Sequence, residues 1–490
     1  MSSSNGNRIT QAALAAFVAG RAAELGIPGV AVGVWAGGRE FHACHGVTGG
    51  ADPRPVDRDT VFQVGSVTKT YTATALMQLV ADGLVELDAP VRRYVPELVL
   101  ADERAAAGIT VLQLLNHTAG LDWNVIADTG AGDDALALFV ARMADLALIG
   151  EPGARASYSQ AGFNLAGRIV EKVTGLPYEQ AVTELVLVPL GLTRTGFDLA
   201  GPGGGGRATG HNLAEDGTLT AAADDWAVGR GDRPGGGLLS SVRDQLRWAR
   251  FHLGDGRAPG GELVLPAGEL ERMRRPTVPL RASALGDAFG ICWFLREVDG
   301  AATVGHGGSA NGQFADLLIV PEHDFAVVTL ANSAPHGGPF NQEVVRWALE
   351  HGPGLVDRDP EPLPHDPARS AAVAGRYDID ALTLVIAADE ERMTLEVGIK
   401  PEIRAASDTE MPADYPAESI GLLPGDGDEY IVTSGGLRGQ RGFFTRDGDG
   451  AVTGVDLAGR LFTRVPSPTP AEGLPPTRFP HVRTGVRRGP

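Results

Sequence analysis

The order of strand-like and helical segments restricts the fold of this 490-residue chain more than any other feature. Two strand-like segments, residues 29–35 and 39–47, lie near the start, and the next ones follow only after residue 285. Helical spacing of apolar residues fills most of the interval. This order predicts an α+β fold, in which strands from both ends form one antiparallel sheet covered by helices, with an all-helical lobe beside it. The predicted helices are 10–25, 66–81, 110–117, 133–147, 161–173, 242–253 and 340–350, and the later strands are 288–297, 313–320 and 325–332.

The pattern changes after a proline-rich segment, residues 356–369, which predicts a linker behind a first domain of residues 1–355. Between residues 370 and 466, short strand-like runs alternate with turn residues, which predicts a small all-β unit, a barrel or a sandwich. Residues 467–490 are again rich in proline and predict a loosely ordered tail. The predicted strands of the second domain are 375–377, 383–387, 393–397, 430–433, 442–445 and 452–457.

The charge balance and the cysteine content argue against several classes of function. The net charge is −19, whereas proteins that bind nucleic acids or anionic membranes present basic patches. No run of 18 apolar residues predicts a membrane span, and the polar start of the chain lacks the pattern of a secretory signal. Cys44 and Cys292, far apart in strand-like segments, are predicted to be buried free thiols. We therefore predict a cytoplasmic protein, with neither nucleic acid nor membrane as a partner.

Only three of the 42 lysines and arginines are lysines, and one of them, Lys69, follows Ser66 by three positions. Arginine stays protonated in proteins, whereas a lysine can lose its proton when its pKa falls. Both residues begin a nearly all-apolar predicted helix, so that their side chains would lie one turn apart on one face. Because burial and the helix dipole disfavour an ammonium there, a neutral Lys69 could take the proton of the Ser66 hydroxyl. The alternative is that Ser66 caps the helix and Lys69 is a solvated charge.

Tyr158 and Gln160 are candidates at the head of another predicted helix. A tyrosine there can relay a proton if a nearby cation lowers its pKa, and the alternative is a core tyrosine. Gln160 also fits the capping box S-x-x-Q with Ser157, in which case it would only cap the helix.

A polar, glycine-dense patch at residues 305–309 interrupts the late strands. Its glycines permit close approach of the backbone to a ligand, and His306 could orient a substrate carboxylate or support a proton relay. No histidine shows metal-binding spacing such as H-E-x-x-H, so we predict neither a metal nor another cofactor.

Together these segments resemble the serine β-lactamase and penicillin-binding-protein superfamily, in particular its branch with class C β-lactamases, D-Ala-D-Ala carboxypeptidases, D-aminopeptidases and esterases. Ser66-Val67-Thr68-Lys69 matches the motif S-x-x-K, Tyr158-Ser159-Gln160 matches Y-x-N, and His306-Gly307-Gly308 matches the strand motif K/H-x-G. Flanking residues 114–121 also resemble the family, and the resemblance covers roughly residues 10–350.

The resemblance implies a role for each residue that matches a motif. Ser66 would be the acylated nucleophile and Lys69 its base. Tyr158 would pass a proton to the leaving group or from the attacking group. The backbone N–H groups of Ser66 and Ser309 would form the oxyanion hole, a pair of fixed donors that stabilises a tetrahedral intermediate.

Two of the matched positions depart from the usual pattern of the family. His306 stands where many relatives carry a lysine, and an uncharged histidine would not anchor a substrate carboxylate. Gln160 replaces the usual asparagine and places the same amide one methylene further out, which would shift substrate binding. Gly307 and Gly308 would line the substrate site.

The resemblance further predicts an acyl-transfer reaction on a peptide. We rank first a standalone penicillin-binding-protein-type thioesterase, which releases and macrocyclises a nonribosomal peptide, because such relatives lack an export signal and join a β-lactamase-like domain to a small lipocalin-like β domain. The substrate would be a peptidyl thioester, free or bound to a carrier protein. The alternative is a D-aminopeptidase, an esterase or a β-lactamase-like hydrolase that uses water to cleave a D-amino-acid-containing peptide or ester. A more distant alternative is an acylated sensor or scaffold.

The second domain offers one predicted substrate contact. Loop 434–441 is predicted to lean over the catalytic cleft, where Arg438 or Arg441 would bind a substrate carboxylate or carbonyl bidentately. The alternative is a solvent-exposed hairpin with two solvated arginines.

Overall fold

The structure is a computed structural model that describes residues 8–50, 52–125, 127–198, 206–214, 217–222, 229–406 and 414–466. The strands of the first domain are β1 Gly29–Ala36, β2 Arg39–Gly46, β3 Val61–Gln63, β4 His211–Leu213, β5 Leu219–Ala221, β6 Leu239–Ser241, β7 Val278–Ser283, β8 Gly286–Phe289, β9 Phe294–Val298, β10 Ala301–Ala310, β11 Gln313–Val320 and β12 Phe325–Ala331. Its helices are α1 Gln11–Glu24, α2 Thr68–Ala81, α3 Glu103–Gly108, α4 Val111–Leu115, α5 Ala135–Arg142, α6 Gln160–Thr174, α7 Tyr178–Val182, α8 Arg233–Gly236, α9 Val242–Leu253, α10 Ala267–Met273 and α11 Gly337–His351.

The second domain follows directly along the chain. It contains the helices α12 Pro367–Val373 and α13 Pro401–Ala406 and the strands β13 Gly375–Asp378, β14 Leu382–Ala388, β15 Met393–Ile399, β16 Tyr415–Leu422, β17 Glu429–Val432, β18 Arg441–Arg446, β19 Val452–Leu457 and β20 Arg460–Arg464.

An eight-stranded sheet in the order β2–β1–β12–β11–β10–β9–β8–β7 forms the centre of the first domain. All its neighbouring strands are antiparallel, and β1 pairs with β12, so the two ends of the domain meet in one sheet. Alternate residues of β1 enter different cores. Val30, Val32 and Val34 pack with α1 and α11 on one face, whereas Ala31 packs with α9 on the other. The predicted α+β class and the antiparallel sheet are therefore confirmed.

The helical lobe lies against the face of the sheet that α9 covers. Its central helix is α2, whose residues from Thr68 to Leu79 are all buried. The helix α2 packs against α6, α7 and α8, which explains why its sequence is apolar nearly all round. The buried start of α2 thus carries Lys69 into the interior of the domain.

The second domain is a closed barrel of eight antiparallel strands, in which β13 pairs with β20. Its interior is filled by side chains, and two buried tyrosine hydroxyls donate to backbone carbonyls. Tyr377 donates to Val373 at 2.6 Å, and Tyr430 donates to Asp456 at 2.6 Å. Closure of the barrel pairs each of its described strands on both sides, so no described strand presents a free edge.

The structure divides one predicted strand. Residues 288–297 form the hairpin of β8 and β9, because Gly290 N–H donates to the Trp293 carbonyl at 2.8 Å and closes a tight turn. Cys292 lies in that turn with φ +74°, not in a strand, although it is buried as expected. Cys44 lies in β2 and is half-buried, and both thiols are free.

Other differences concern residues that carry weak sequence signals. The glycine-rich residues 229–237, which indicate a loop, form a 3-10 turn followed by α8. The strands β3 to β7 of the first domain and β16 and β20 of the second were absent from the predicted set. In β16, Pro416 and the buried Glu418 mask the strand pattern, since Glu418 turns inward to accept the N–H groups of Gly436 and Leu437.

The predicted segments between and after the domains are only partly described. The linker 356–369 has no regular structure until its last residues enter α12. The predicted tail, residues 467–490, lies outside the described residues. Among the helices of the described ranges, none is long and apolar enough to cross a bilayer.

Candidate active site

Ser66 lies in a 3-10 turn, Gly65–Val67, that leads into α2 and touches the end of β10. Gly65 has φ +49°, and a Cβ atom there would lie 2.7 Å from the Ser309 nitrogen. A Cβ atom at Gly308 would lie 2.1 Å from the Val64 carbonyl oxygen and 2.8 Å from the Ser66 nitrogen. Both positions therefore require glycine, and this close approach brings the backbones of Ser66 and Ser309 together.

Lys69 is fully buried and its Nζ atom faces three oxygen atoms. The Nζ atom lies 3.1 Å from Ser66 Oγ, 2.5 Å from Gln160 Oε1 and 2.6 Å from the Gly235 carbonyl oxygen. Burial lowers the pKa of Lys69 to about 7. A neutral amine has two N–H groups and one lone pair. Because the amide and carbonyl oxygens can only accept, they take the two N–H groups and leave the lone pair for the Ser66 hydroxyl.

Tyr158 packs its ring between several groups of the site. The Lys69 Nζ atom lies 4.9 Å from the centre of the ring, and the His117 ring lies 4.3 Å from it, centre to centre. The Tyr158 hydroxyl is buried, faces Ser66 and has no partner at hydrogen-bond distance within the described chain. Burial raises the pKa of this phenol, while Ser66 and the Arg460 guanidinium oppose the rise. The hydroxyl is thus a protonated donor directed toward Ser66.

His306 is buried on β10 and its ring stacks on Phe294 at 4.2 Å. Burial and the nearby Lys69 lower the pKa of His306 to about 3, so its imidazole is neutral. Its Nδ1 atom lies 2.6 Å from the Gly307 carbonyl oxygen, which accepts only, so Nδ1 carries the proton. The Nε2 lone pair has no protein partner within the described part of the chain. This histidine therefore offers an acceptor and no positive charge.

Gln160 contacts Lys69 and does not serve as a capping residue. The N-cap of α6 is Ser159, whose hydroxyl accepts the N–H of Gly162, so the alternative of a capping box with Ser157 is wrong. The extra methylene of the glutamine is accommodated because residue 235 is glycine. A Cβ atom at Gly235 would lie 2.1 Å from Gln160 Nε2.

The structure places Arg438 and Arg441 away from this cleft. Their loop lies beside the first domain, where a Cβ atom at Gly439 would be 2.6 Å from Gln342 Nε2 of α11. Arg441 lines a separate cavity of about 490 Å³ with Arg296 and Asp357, at the outer ends of β8 and β9. The prediction that loop 434–441 leans over the catalytic cleft therefore fails, because a different hairpin of the barrel faces it.

The hairpin that reaches the cleft is the β19–β20 turn, and it brings Arg460. The Gly459 carbonyl accepts the N–H of Tyr158 at 2.7 Å. The Arg460 guanidinium lies 4.9 Å from the centre of the Tyr158 ring and 5.9 Å from that of Trp123. Burial lowers the pKa of Arg460, although arginine stays protonated.

Arg460 makes no ion pair with any carboxylate of the described residues. Asp456 interacts with it only by charge, and burial raises the pKa of Asp456 to about 7. Among the described residues, Arg460 has one acceptor within hydrogen-bond distance, the Ala458 carbonyl at 3.4 Å, and its buried Nε atom has none. No local motif marked this residue, because the sequence does not reveal which hairpin of a barrel faces the other domain.

The site belongs to a region that known proteins share. The family model described as "Beta-lactamase" matches residues 14–350. "Penicillin-binding protein 4" of Amycolatopsis lactamdurans is 34% identical over 359 residues, which are 72% of this chain and 93% of that protein.

Solved structures extend the likeness to the second domain. The crystal structure of SurE has a TM-score of 0.71 and 26% identity, and it covers 93% of this chain and 99% of SurE. SurE with D-Leu gives a TM-score of 0.69 and 25% identity over the same shares. The D-amino acid amidase of Ochrobactrum anthropi, complexed with D-phenylalanine, has a TM-score of 0.58 and 25% identity and covers 69% of this chain and 98% of the amidase.

Proposed function

This chain belongs to the β-lactamase family of serine hydrolases, and from that premise we propose that it transfers an acyl group through a Ser66 acyl-enzyme. The observation that carries the proposal is the buried Lys69 amine, 3.1 Å from Ser66 Oγ with its N–H groups engaged by two other oxygens. A lysine in this setting can act as a general base near neutral pH, which an ordinary lysine cannot.

In the first step Ser66 Oγ attacks the carbonyl carbon of a thioester or ester while Lys69 takes the hydroxyl proton. The negative oxygen that develops is stabilised by the backbone N–H groups of Ser66 and Ser309, which the close glycine contacts bring to one place. The intermediate then expels the leaving thiol or alcohol, which receives its proton through Tyr158, and the acyl-enzyme remains.

In the second step an amine or a water attacks the carbonyl carbon of the acyl-enzyme and gives up a proton through Tyr158 to Lys69. Lys69 then returns this proton to Ser66 Oγ as the ester bond to Ser66 breaks. The neutral His306 presents its Nε2 acceptor without a partner among the described residues, and it does not anchor a carboxylate by charge. The path of the acyl group is the same for both acceptors, so the product alone distinguishes a cyclase from a hydrolase.

We propose a peptidyl thioester with a D-residue at the acylating end as the donor. Two of the similar structures contain a D-amino acid, D-Leu in one and D-phenylalanine in the other. The likeness to SurE includes the barrel, which favours a substrate that contacts both domains.

Arg460 takes the role that the sequence assigned to Arg438 or Arg441. Its charge is buried beside Tyr158 and has no carboxylate partner among the described residues, so a substrate carboxylate or carbonyl would supply the missing acceptor. The same turn covers Tyr158 and restricts the access of water to it, which favours a peptide amine as acceptor and hence macrocyclisation. A D-aminopeptidase, esterase or β-lactamase-like hydrolase remains the second candidate, since the D-amino acid amidase shares the fold of the first domain.

The test is an incubation with a peptidyl N-acetylcysteamine thioester that carries a D-residue at its C-terminus, with Ser66→Ala as the control. Mass spectrometry should show a product lighter than the hydrolysed acid by one water, and none with the variant. The linear acid alone would exclude the cyclase and leave the hydrolase. Stoichiometric acylation without turnover would instead favour the acylated sensor or scaffold.

A further inference from the structure

The carboxylate of Asp232 is held by amides near Lys69. Its Oδ1 atom accepts Asn124 Nδ2 at 3.0 Å and Asn164 Nδ2 at 2.7 Å. Among the described residues no basic side chain makes an ion pair with it. Lys69 is the cation whose charge acts on it. Burial raises the pKa of this carboxyl, whereas the two amides and the charge of Lys69 oppose the rise and favour the ionised form.

The arginines on either side of Asp232 do not neutralise it. Arg230 and Arg233 both pair with Glu179, at 2.9 Å and 2.7 Å. These ion pairs fasten the backbone around Asp232 to the helical lobe and point the two guanidinium groups away from its carboxylate. The segment is therefore rigid at the position where Asp232 and α8 approach α2.

A chain of hydrogen bonds joins Asp232 to Lys69. Asn164 is fully buried, donates to Asp232 Oδ1 and accepts the N–H of Gly235 at 3.0 Å. The carbonyl of the same Gly235 accepts from Lys69 Nζ at 2.6 Å. Each member has a partner on both sides, so the Gly235 carbonyl is fixed in direction before any substrate binds.

This inference rests on the proposed role of Lys69. We propose that Asp232 is a positioning residue that acts on Lys69 in two ways: through Asn164 and the Gly235 carbonyl it fixes the amine, and through its own charge it favours the ammonium. Burial disfavours the Lys69 ammonium, and the negative charge of Asp232 opposes this effect. The amine can therefore gain and lose its proton near neutral pH. Without Asp232 the amine would be neutral over a wider range and would be a weaker base.

Besides Asp232, the Cys292 thiol is the other group that would raise the pKa of Lys69, and burial keeps that thiol protonated and uncharged. Arg460 acts in the opposite direction and lowers the pKa of Lys69. Burial keeps the remaining titratable neighbours uncharged, because it lowers the pKa of the histidines and raises the pKa of the phenol and of the thiol. These neighbours are His117, His306, Tyr158 and Cys292.

The test is Asp232→Asn in the full chain. Asparagine retains the Oδ1 atom that both amides use, so the variant removes the charge and keeps the two hydrogen bonds. The rate of acylation by a chromogenic ester is measured from pH 5 to 9. In the variant, the acidic limb of this pH–rate profile should move to lower pH by about half a unit or more, and the maximal rate should change less than about fivefold. If Asp232 has a purely structural role, its substitution should lower the maximal rate and leave the acidic limb at the same pH. That result would overturn the proposal.

Asp244→Asn is the matched control. Asp244 is also buried and accepts the N–H of Arg194 and the hydroxyl of Thr195, but it does not act on Lys69. The acidic limb of the pH–rate profile of Asp244→Asn should coincide with that of the parent protein. A shift as large as that of Asp232→Asn would also overturn the proposal. Ser66→Ala separates the two hypotheses, since acylation that survives this change refutes the proposed nucleophile. The NMR titration of the Lys69 side chain in Asp232→Asn gives the same readout without any substrate.

Discussion

Two regions of the molecule bring a cation to the same tyrosine, and they differ in what that cation can do. The start of α2 places Lys69 Nζ 4.9 Å from the centre of the Tyr158 ring, and the β19–β20 turn of the barrel places the Arg460 guanidinium at 4.9 Å as well. Within the described part of the chain, Lys69 has three oxygen partners, whereas Arg460 has one weak carbonyl contact.

Lys69 and Arg460 differ in whether they can lose their proton. Burial removes the proton from a lysine near neutral pH but does not do so for an arginine. In the proposed mechanism the first domain supplies the group that exchanges protons, and the barrel supplies a charge that stays constant through the reaction. In this proposal the active site needs residues from both domains. Substituting Lys69 or Arg460 one at a time therefore tests proton exchange separately from the constant positive charge.

Lys69→Arg should cause the largest loss. It keeps a positive charge at the position but removes the base, so the rate of acylation should fall by about 10³-fold or more. In the parent protein the rate should also fall as pH drops below about 7, because protonation of Lys69 removes the same base. Stopped-flow acylation by an ester measures both effects, and a variant that keeps its rate would show that Lys69 is not the base.

Tyr158→Phe should reduce turnover by about 10²-fold, since the phenol is the only hydroxyl beside Ser66 that we assign to proton relay. The ring stays between the two cations, so the fold should be unchanged by circular dichroism. If acylation and deacylation both continue at the parent rate, the leaving and attacking groups receive their protons by another route.

Arg460→Met should lower kcat/KM on the D-residue thioester by about 10- to 100-fold, the usual value of one charge-assisted contact. Because Arg460 lowers the pKa of Lys69, its removal should also move the acidic limb of the rate to higher pH. The controls are Arg438→Met and Arg441→Met, which lie away from the cleft. If the controls lose as much kcat/KM as Arg460→Met, loop 434–441 and not Arg460 alone contacts the substrate.

Gly235→Ala should have the smallest effect, about 10-fold on acylation. The new Cβ atom would lie 2.1 Å from Gln160 Nε2 and would displace the amide from Lys69. Gln160→Asn shortens that side chain, so the double variant should recover part of the loss in a double-mutant cycle. Simple addition of the two losses would show that Gln160 and Gly235 do not share the space beside Lys69.

The sequence predicted the parts of the fold and site that depend on local patterns. Spacing predicted α2 and α9, because the apolar period reports which face is buried, and segment order predicted the antiparallel sheet. Ser66, Lys69, Tyr158 and His306 were singled out by short motifs, and the structure brings these four side chains to one cleft. Their roles remain the proposal made above.

The rest depended on contacts between segments far apart along the chain. Arg460 has no motif, and its position follows from how the barrel docks on the first domain. Gly235 looked like part of a loop, yet its carbonyl contacts Lys69 across 166 residues of chain. Asp232 and Asn164 are ordinary polar residues until the fold joins them. Such long-range contacts leave no period and no spacing in the sequence.

The most direct test of the account is the titration of Lys69 itself. The chain has three lysines, so ¹³C labelling of their ε-carbons gives three side-chain signals, which Lys172→Arg and Lys400→Arg assign. The account predicts a midpoint for Lys69 near pH 7, the value that burial gives this amine. A midpoint near the ordinary lysine value of about 10.4 would mean that Lys69 remains an ammonium at neutral pH and would contradict its role as the base for Ser66.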